Sequence, residues 1–221
     1  MLNVGMVGVG CISGIYLKNF HETFKDVKLV AVCDLIKERA EKAKAEYNIP
    51  KIYDTMDELF ADPEIDIVLN LTRPYEHFEV SKAALLAGKH VYSAVPMATD
   101  IEEIKEIVRL VKETGLTYSM GETGIYRPAS IFCRQKYATG EMGELVYAEA
   151  QYNHDMSGLY DVFKYTEGDL WRKMAGLPPF YYPTHSTSMV LSCVNAKAIK
   201  VAGFGYEDKI DPDIFGEGMN Y

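Results

Sequence analysis

Residues 2–13 read LNVGMVGVGCIS, and the rest of the chain is organised around them. Leu2–Val7 is apolar and compact enough for a short strand. It runs directly into Gly8-Val9-Gly10-Cys11-Ile12-Ser13, after which residues 13–24 have helical length. The run fits G-x-G-x-x-G, with Ser13 standing at the third glycine. In a strand–turn–helix of this kind the first glycine permits the tight turn. The second lets a ligand approach the backbone, and the third position needs only a small residue so that helix and strand can close. The helix start offers unpaired N–H groups and the positive end of the helix dipole, which together favour an anion.

Working outward, Val27–Cys33 (VKLVAVC) is a second strand and residues 65–71 (IDIVLNL) a third, apolar enough to be buried on both faces as in a parallel sheet. Residues 36–47 (IKERAEKAKAEY) combine strong helix formers with opposed charges four apart, which predicts a surface helix. Residues 75–87 are helical and stop at Gly88, and His90–Ser93 is a further strand. Thr99-x-x-Glu102 predicts a capping box opening a helix that runs to about Thr114 and ends at Gly115, and residues 117–120 close the series. Strands alternating with helices imply right-handed crossovers and an α/β fold, a doubly wound parallel Rossmann sheet over residues 1–122. Asp34 ends the second strand about 20 residues past the glycines, where a carboxylate accepts from a ribose 2′-hydroxyl and repels a 2′-phosphate. That order of features predicts a dinucleotide site with NAD preferred over NADP, although Lys37 and Arg39 lie close by.

Residues 123–221 follow a different pattern and predict a second, partial α+β domain. It has a helix at 128–137, a long strand at 145–154, an irregular aromatic-rich stretch at 155–183, a helix at 185–194 and a strand at 199–206. The 221 residues carry 23 Lys+Arg against 32 Asp+Glu, a net charge of −9, which argues against a nucleic-acid or anionic-membrane surface. The longest apolar runs are too short to cross a bilayer, and no basic residue precedes the apolar start as a secretory signal requires. The four cysteines show no metal-type spacing, and His154-Asp155 lacks a suitably spaced third ligand, so no metal site is expected. A reducing cytoplasm is the expected setting.

With these residues in view, the chain resembles the glucose–fructose oxidoreductase / inositol dehydrogenase / MocA (Gfo/Idh/MocA) family of nicotinamide-dependent, mostly sugar-active enzymes. The resemblance rests on VGVGCIS, on IDIVLNL followed by Thr72-Arg73-Pro74-x-x-His77, and on Ala87-Gly88-Lys89-His90-Val91-Tyr92. It implies cofactor contacts from Gly8, Gly10, Cys11, Ile12, Asp34, Thr72, Pro74, His77 and Pro96. For His77 a polar helix start is an equal reading. The family's Glu-Lys-Pro stands here as Ala94-Val95-Pro96, without the lysine, and of its Asp-x-x-x-His pair only His185 is kept, with Tyr181 at the acid position.

A sub-branch, the NAD-dependent α-N-acetylgalactosaminidases, is similar in finer motifs: Ala94-Val95-Pro96, Glu122-Thr123-Gly124-Ile125-Tyr126, the run from Gly143 through Glu149 and Tyr152, and Tyr182-Pro183-Thr184-His185. The resemblance places functional residues at Glu122, Tyr152, Tyr182 and His185. His185 is the expected acid/base, the two tyrosines hold or relay protons, and Glu122 is a second base or hydroxyl anchor. Taken alone, Tyr152 would read as strand packing and His185 as a helix cap. The implied activity is hydride transfer at a ring carbon of a sugar or sugar derivative. The alternatives are a glycosidase working by transient C3 oxidation and elimination, and a non-catalytic dinucleotide-binding protein. Family chains are longer, so the second domain is expected to be truncated. Homo-oligomerisation is expected of the full-length form.

Overall fold

The computed structural model describes residues 1–153, 157–171, 183–194 and 196–204. The chain divides into two compact units, Met1–Gly121 and Glu122–Tyr221.

The first unit is a six-stranded parallel sheet in the order β3-β2-β1-β4-β5-β6. Its strands are β1 (Leu2–Val7), β2 (Val27–Cys33), β3 (Lys51–Tyr53), β4 (Ile67–Asn70), β5 (His90–Ser93) and β6 (Tyr118–Met120). Its helices are α1 (Ser13–Glu22), α2 (Lys37–Tyr47), α3 (Met56–Ala61), α4 (His77–Leu86) and α5 (Ile101–Thr114). The chain winds outward from β1 to β3, then returns to β4 on the other side of β1 and winds out to β6. The reversal leaves a crevice past the carboxyl ends of β1 and β4, the usual ligand position in such sheets. Register brings three loop starts together there: Val7 pairs with both Cys33 and Asn70, so Gly8, Asp34 and Leu71 each begin a loop at the same end of the sheet.

Alternation along β1 feeds two cores. Val4 and Met6 join Leu17 of α1 and Ala40 and Ala43 of α2 on one face. Val7 joins Leu59 and Phe60 of α3, Val80, Ala84 and Leu85 of α4 and Ile107 and Leu110 of α5 on the other. Each large apolar side chain buried in this way contributes about 1.5–3 kcal/mol. Gly5 is small because Leu59 packs over it: a Cβ there would stand 2.7 Å from Leu59 Cδ2. Lys89 is only 8% exposed, and its Nζ donates to the carbonyls of Asp62 (2.7 Å) and Ile65 (2.8 Å), fastening the loop that leads into β4.

Several local expectations differ from the structure. β3 and α3 are too short to show a period in the sequence. α3 owes its start to a capping box in which the Thr55 hydroxyl accepts from the Glu58 N–H and the Glu58 carboxylate accepts from the Thr55 N–H. The expected capping box at Thr99 is absent. Asp100 is the N-cap, accepting from the Glu102 N–H at 2.7 Å, since its shorter acid reaches the helix start one residue later.

The second unit contains α6 (Pro128–Ala138), α7 (Ser157–Glu167) and α8 (Thr184–Val194), with a 3₁₀ turn at Gly124–Tyr126, on which α8 and α6 pack. The aromatic stretch expected to be irregular includes α7. The strands expected at 145–154 and 199–206 are not formed over their described residues. Strand-prone residues need cross-strand and same-face neighbours, and Val146, at 94% exposure, has none to fill that role. His154, Asp155, Tyr181, Tyr182 and residues 205–206 lie outside the described residues.

Gly8 carries the tightest constraint in the sheet. Its φ is +92°, and a Cβ would stand 2.6 Å from the Leu71 carbonyl oxygen. Gly8→Ala is therefore expected to cost roughly 3 kcal/mol, combining backbone strain with overpacking. Urea unfolding, by a lowered midpoint at unchanged slope, would measure it.

Candidate functional site

The crevice end of the first unit is built from backbone. The Gly8 N–H donates to the Cys33 carbonyl (2.9 Å), tying the turn to the end of β2. Val9 N–H donates to Asp34 Oδ2 (2.6 Å) and Ile36 N–H to Asp34 Oδ1 (2.8 Å). The carboxylate is thereby held in place with one N–H on each oxygen, which leaves acceptor capacity on both for ribose hydroxyls. Lys37, which stood near enough to oppose that preference, is paired with Asp54 at 2.9 Å. Ser13 is buried, and its hydroxyl donates to the Gly10 carbonyl at 2.7 Å, so the third motif position is filled by a small self-satisfied residue.

Gly10 is the informative glycine. Its φ is outside the left-handed region, and a Cβ built on it would meet no atom within 4 Å. Neither its own conformation nor the protein's packing requires glycine there. The backbone face at Gly10 is open. Cys11 and Ile12 are exposed beside it, α1 has no side-chain cap at its start, and no acidic residue lies in its first turn. These features fit the pyrophosphate of a dinucleotide.

The neighbouring loops are braced by buried polar groups. Asn70, fully buried, accepts from the N–H (3.2 Å) and hydroxyl (2.7 Å) of Thr72 and donates to the His77 carbonyl and Ser81 hydroxyl. His77 is 1% exposed. Its Nδ1 lies 2.6 Å from the Pro96 carbonyl oxygen and its Nε2 3.0 Å from that of Thr72. His77 thus bridges the loops after β4 and β5, and any effect on a cofactor passes through Thr72 and Pro96. Pro74 and Pro96 are buried, and Ala94 packs into the core that also holds Leu17 and Val32.

In the second unit Glu122, 5% exposed, directs Oε1 at two partners: the Gly124 N–H (2.6 Å) and His185 Nδ1 (3.0 Å). The Tyr152 ring stacks obliquely on the His185 ring, centroids 4.6 Å apart at 38°. Three of the four expected catalytic positions are therefore brought together, and the fourth, Tyr182, lies outside the described residues. Glu122, expected as a second base or hydroxyl anchor, lies against His185 Nδ1. The acid missing from the Asp-x-x-x-His spacing is supplied through space from a residue 63 positions earlier. Burial pushes the Glu122 carboxyl up. The Gly124 N–H, the nearby Thr184 hydroxyl and His185 outweigh that and hold it below the ordinary carboxylate range. A carboxylate on Nδ1 fixes the tautomer with Nε2 as the proton acceptor and stabilises the imidazolium once formed. The sequence reading assigned no role to Gly124, Thr184 or Ser188, although the quoted motifs around Glu122 and His185 contain the first two.

The comparisons accord with this geometry. A family model described as the oxidoreductase family, NAD-binding Rossmann fold, matches residues 2–122, and the chain belongs to that family, Gfo/Idh/MocA. It is 31% identical to a glycosyl hydrolase family 109 protein of Shewanella sp. (strain ANA-3), across 88% of this chain and 44% of that protein. It is 28% identical to the inositol 2-dehydrogenase/D-chiro-inositol 3-dehydrogenase of Lactiplantibacillus plantarum, across 72% of this chain and 46% of that one. The fold matches scyllo-inositol dehydrogenase from Lactobacillus casei with bound NAD(H) and scyllo-inositol at a TM-score of 0.67 and 20% identity, over 85% of this chain and 56% of that one. The chain spans about half the length of the curated relatives it matches. Among the described residues, no helix is long and apolar enough to cross a membrane.

Two outcomes are expected. Gly10→Ala should leave the urea midpoint unchanged and weaken NAD binding at least tenfold in calorimetry, because the methyl occupies ligand space alone. Burial lowers the His77 pKa from its ordinary 6.5 despite the two facing carbonyls. A base held low in the fold binds fewer protons than when unfolded, so its share of stability is whole above pH 6.5 and is lost as pH falls below it. Thermal unfolding should show this acid-side loss, at most about 1.4 kcal/mol per pH unit, flattened in His77→Gln.

Proposed function

We propose that the protein is an NAD-dependent oxidoreductase that exchanges hydride at a ring carbon of a sugar or sugar derivative. The observation that carries this reading is the buried Glu122 carboxylate on His185 Nδ1, in a chain whose other unit is an NAD-binding domain. The bound dinucleotide supplies the hydride exchange. Proton transfer falls to the chain itself: His185 Nε2 takes the proton from the substrate hydroxyl while Glu122 holds the ring and stabilises its charge. Val95 stands where the family places a lysine, so His185 carries the proton transfer without that cation.

A second reading is favoured by Tyr152 on the His185 ring and by the glycosyl hydrolase family 109 relatives. In it transient oxidation at C3 acidifies the neighbouring C–H. A second proton acceptor, for which Tyr152 and Tyr182 are the candidates, then permits elimination of the aglycone; water adds back, and the hydride taken from C3 is returned to it. The same proposal places the protein in the cytoplasm, with its described cysteines free, as a homo-oligomer in its full-length form. Light scattering would test the oligomeric state.

The deciding experiment incubates the protein and NAD⁺ with nitrophenyl glycosides, free sugars and inositols, following NADH and nitrophenol together. NADH growth on a free sugar or inositol is the expected result. NAD-dependent nitrophenol release without NADH would replace it with the glycosidase reading, and silence across the panel would count against both. His185→Ala should lower whichever activity appears by about 10²–10⁴-fold. Unchanged turnover would remove His185 from the mechanism.

A further inference from the structure

Gly124 is buried beside the Glu122–His185 pair, and its backbone is occupied on both sides. Its N–H donates to Glu122 Oε1 at 2.6 Å, and its carbonyl accepts from the buried Ser130 hydroxyl of α6 at 2.9 Å. Its φ is not left-handed, so conformation does not demand glycine. Space does. A Cβ at this position would stand 2.9 Å from Ser188 Oγ, 3.0 Å from Glu122 Oε1 and 3.1 Å from the His185 carbonyl oxygen. Two of those three atoms belong to the pair itself, and the third lies on α8, which carries His185.

The carboxylate has somewhere else to go. Glu122 Oε2, Thr184 Oγ1 and Ser188 Oγ are all buried without a hydrogen-bond partner among the described residues. A Glu122 side chain pushed off the Gly124 N–H finds two hydroxyls able to donate to it, and a hydroxyl–carboxylate bond is charge-assisted and strong. Thr184 already lies near the carboxylate, so its position is a choice between the Gly124 N–H with His185 and a closer approach to the hydroxyls of Thr184 and Ser188.

We propose that Gly124 is the positioning residue of the pair: by lacking a side chain and presenting its N–H, it selects the Glu122 orientation that backs His185. The chain of support runs from Ser130 on α6 through the Gly124 backbone to Glu122 and on to His185. This rests on the reading of the pair as the acid–base device.

The test is Gly124→Ala in the intact chain, with NAD affinity as the measure of folding in the other unit. Carbon-13 spectra of the glutamate carboxyls should show the Glu122 titration moved upward from its wild-type position. With the substrate identified by the panel, kcat should fall about tenfold or more at unchanged KM for NAD, since small misplacements of a reacting group are costly. Adding Ser188→Ala, which clears the nearest obstacle, should restore part of both; a merely structural defect would be deepened by the second substitution. An unmoved Glu122 titration overturns the proposal. A moved titration with unchanged turnover upholds the positioning role and sinks the acid–base reading instead. Should Gly124→Ala fail to fold, Ser130→Ala decides: a smaller upward shift supports the proposal, and no shift overturns it.

Discussion

The closest backbone approach in the first unit, Gly8 against Leu71 and Thr72, governs what surrounds it. With a Cβ excluded at 2.6 Å, the loop leaving β1 can lie directly on the loop leaving β4. The same turn carries the Val9 N–H that meets the Asp34 carboxylate and leads into α1, which starts without a side-chain cap. The buried groups behind it stiffen the same corner: Asn70 holds Thr72, and His77 joins Thr72 to Pro96. This end of the sheet is thus assembled largely from main chain, with the Asp34 carboxylate held beside the glycine turn.

The second unit solves a different problem. Keeping an ionised glutamate almost fully buried demands partners, and Glu122 has a short backbone N–H and an imidazole on one oxygen. Burial and pairing pull its proton affinity in opposite directions, and pairing wins. The outcome is an anion that stays charged at neutral pH and so orients its histidine.

Legibility followed the range of the forces involved. The glycines, Asp34 and the alternating elements were readable because turn geometry, strand ends and helix periods are set within a few residues. β3 and α3 were missed because three- and six-residue elements show no period, and Asp100 displaced Thr99 as a cap by one residue of reach. The stretches at 145–154 and 199–206 have strand composition, yet composition supplies only half of a ladder and the partner must come from elsewhere. The contact of Glu122 with His185 was not legible for the same reason. Spacing pointed to Tyr181, four residues before His185, for the acid position, whereas the acid that meets His185 is 63 residues away.

By itself the sequence determined the doubly wound fold of the first unit and pointed to NAD, since each depends on local backbone freedom or on one charge at a strand end. The tertiary structure alone decided that Glu122 backs His185, that His77 braces loops, and that Gly124 is needed for its size. Those facts depend on which distant atoms share a few cubic ångströms, and no spacing along a chain records that.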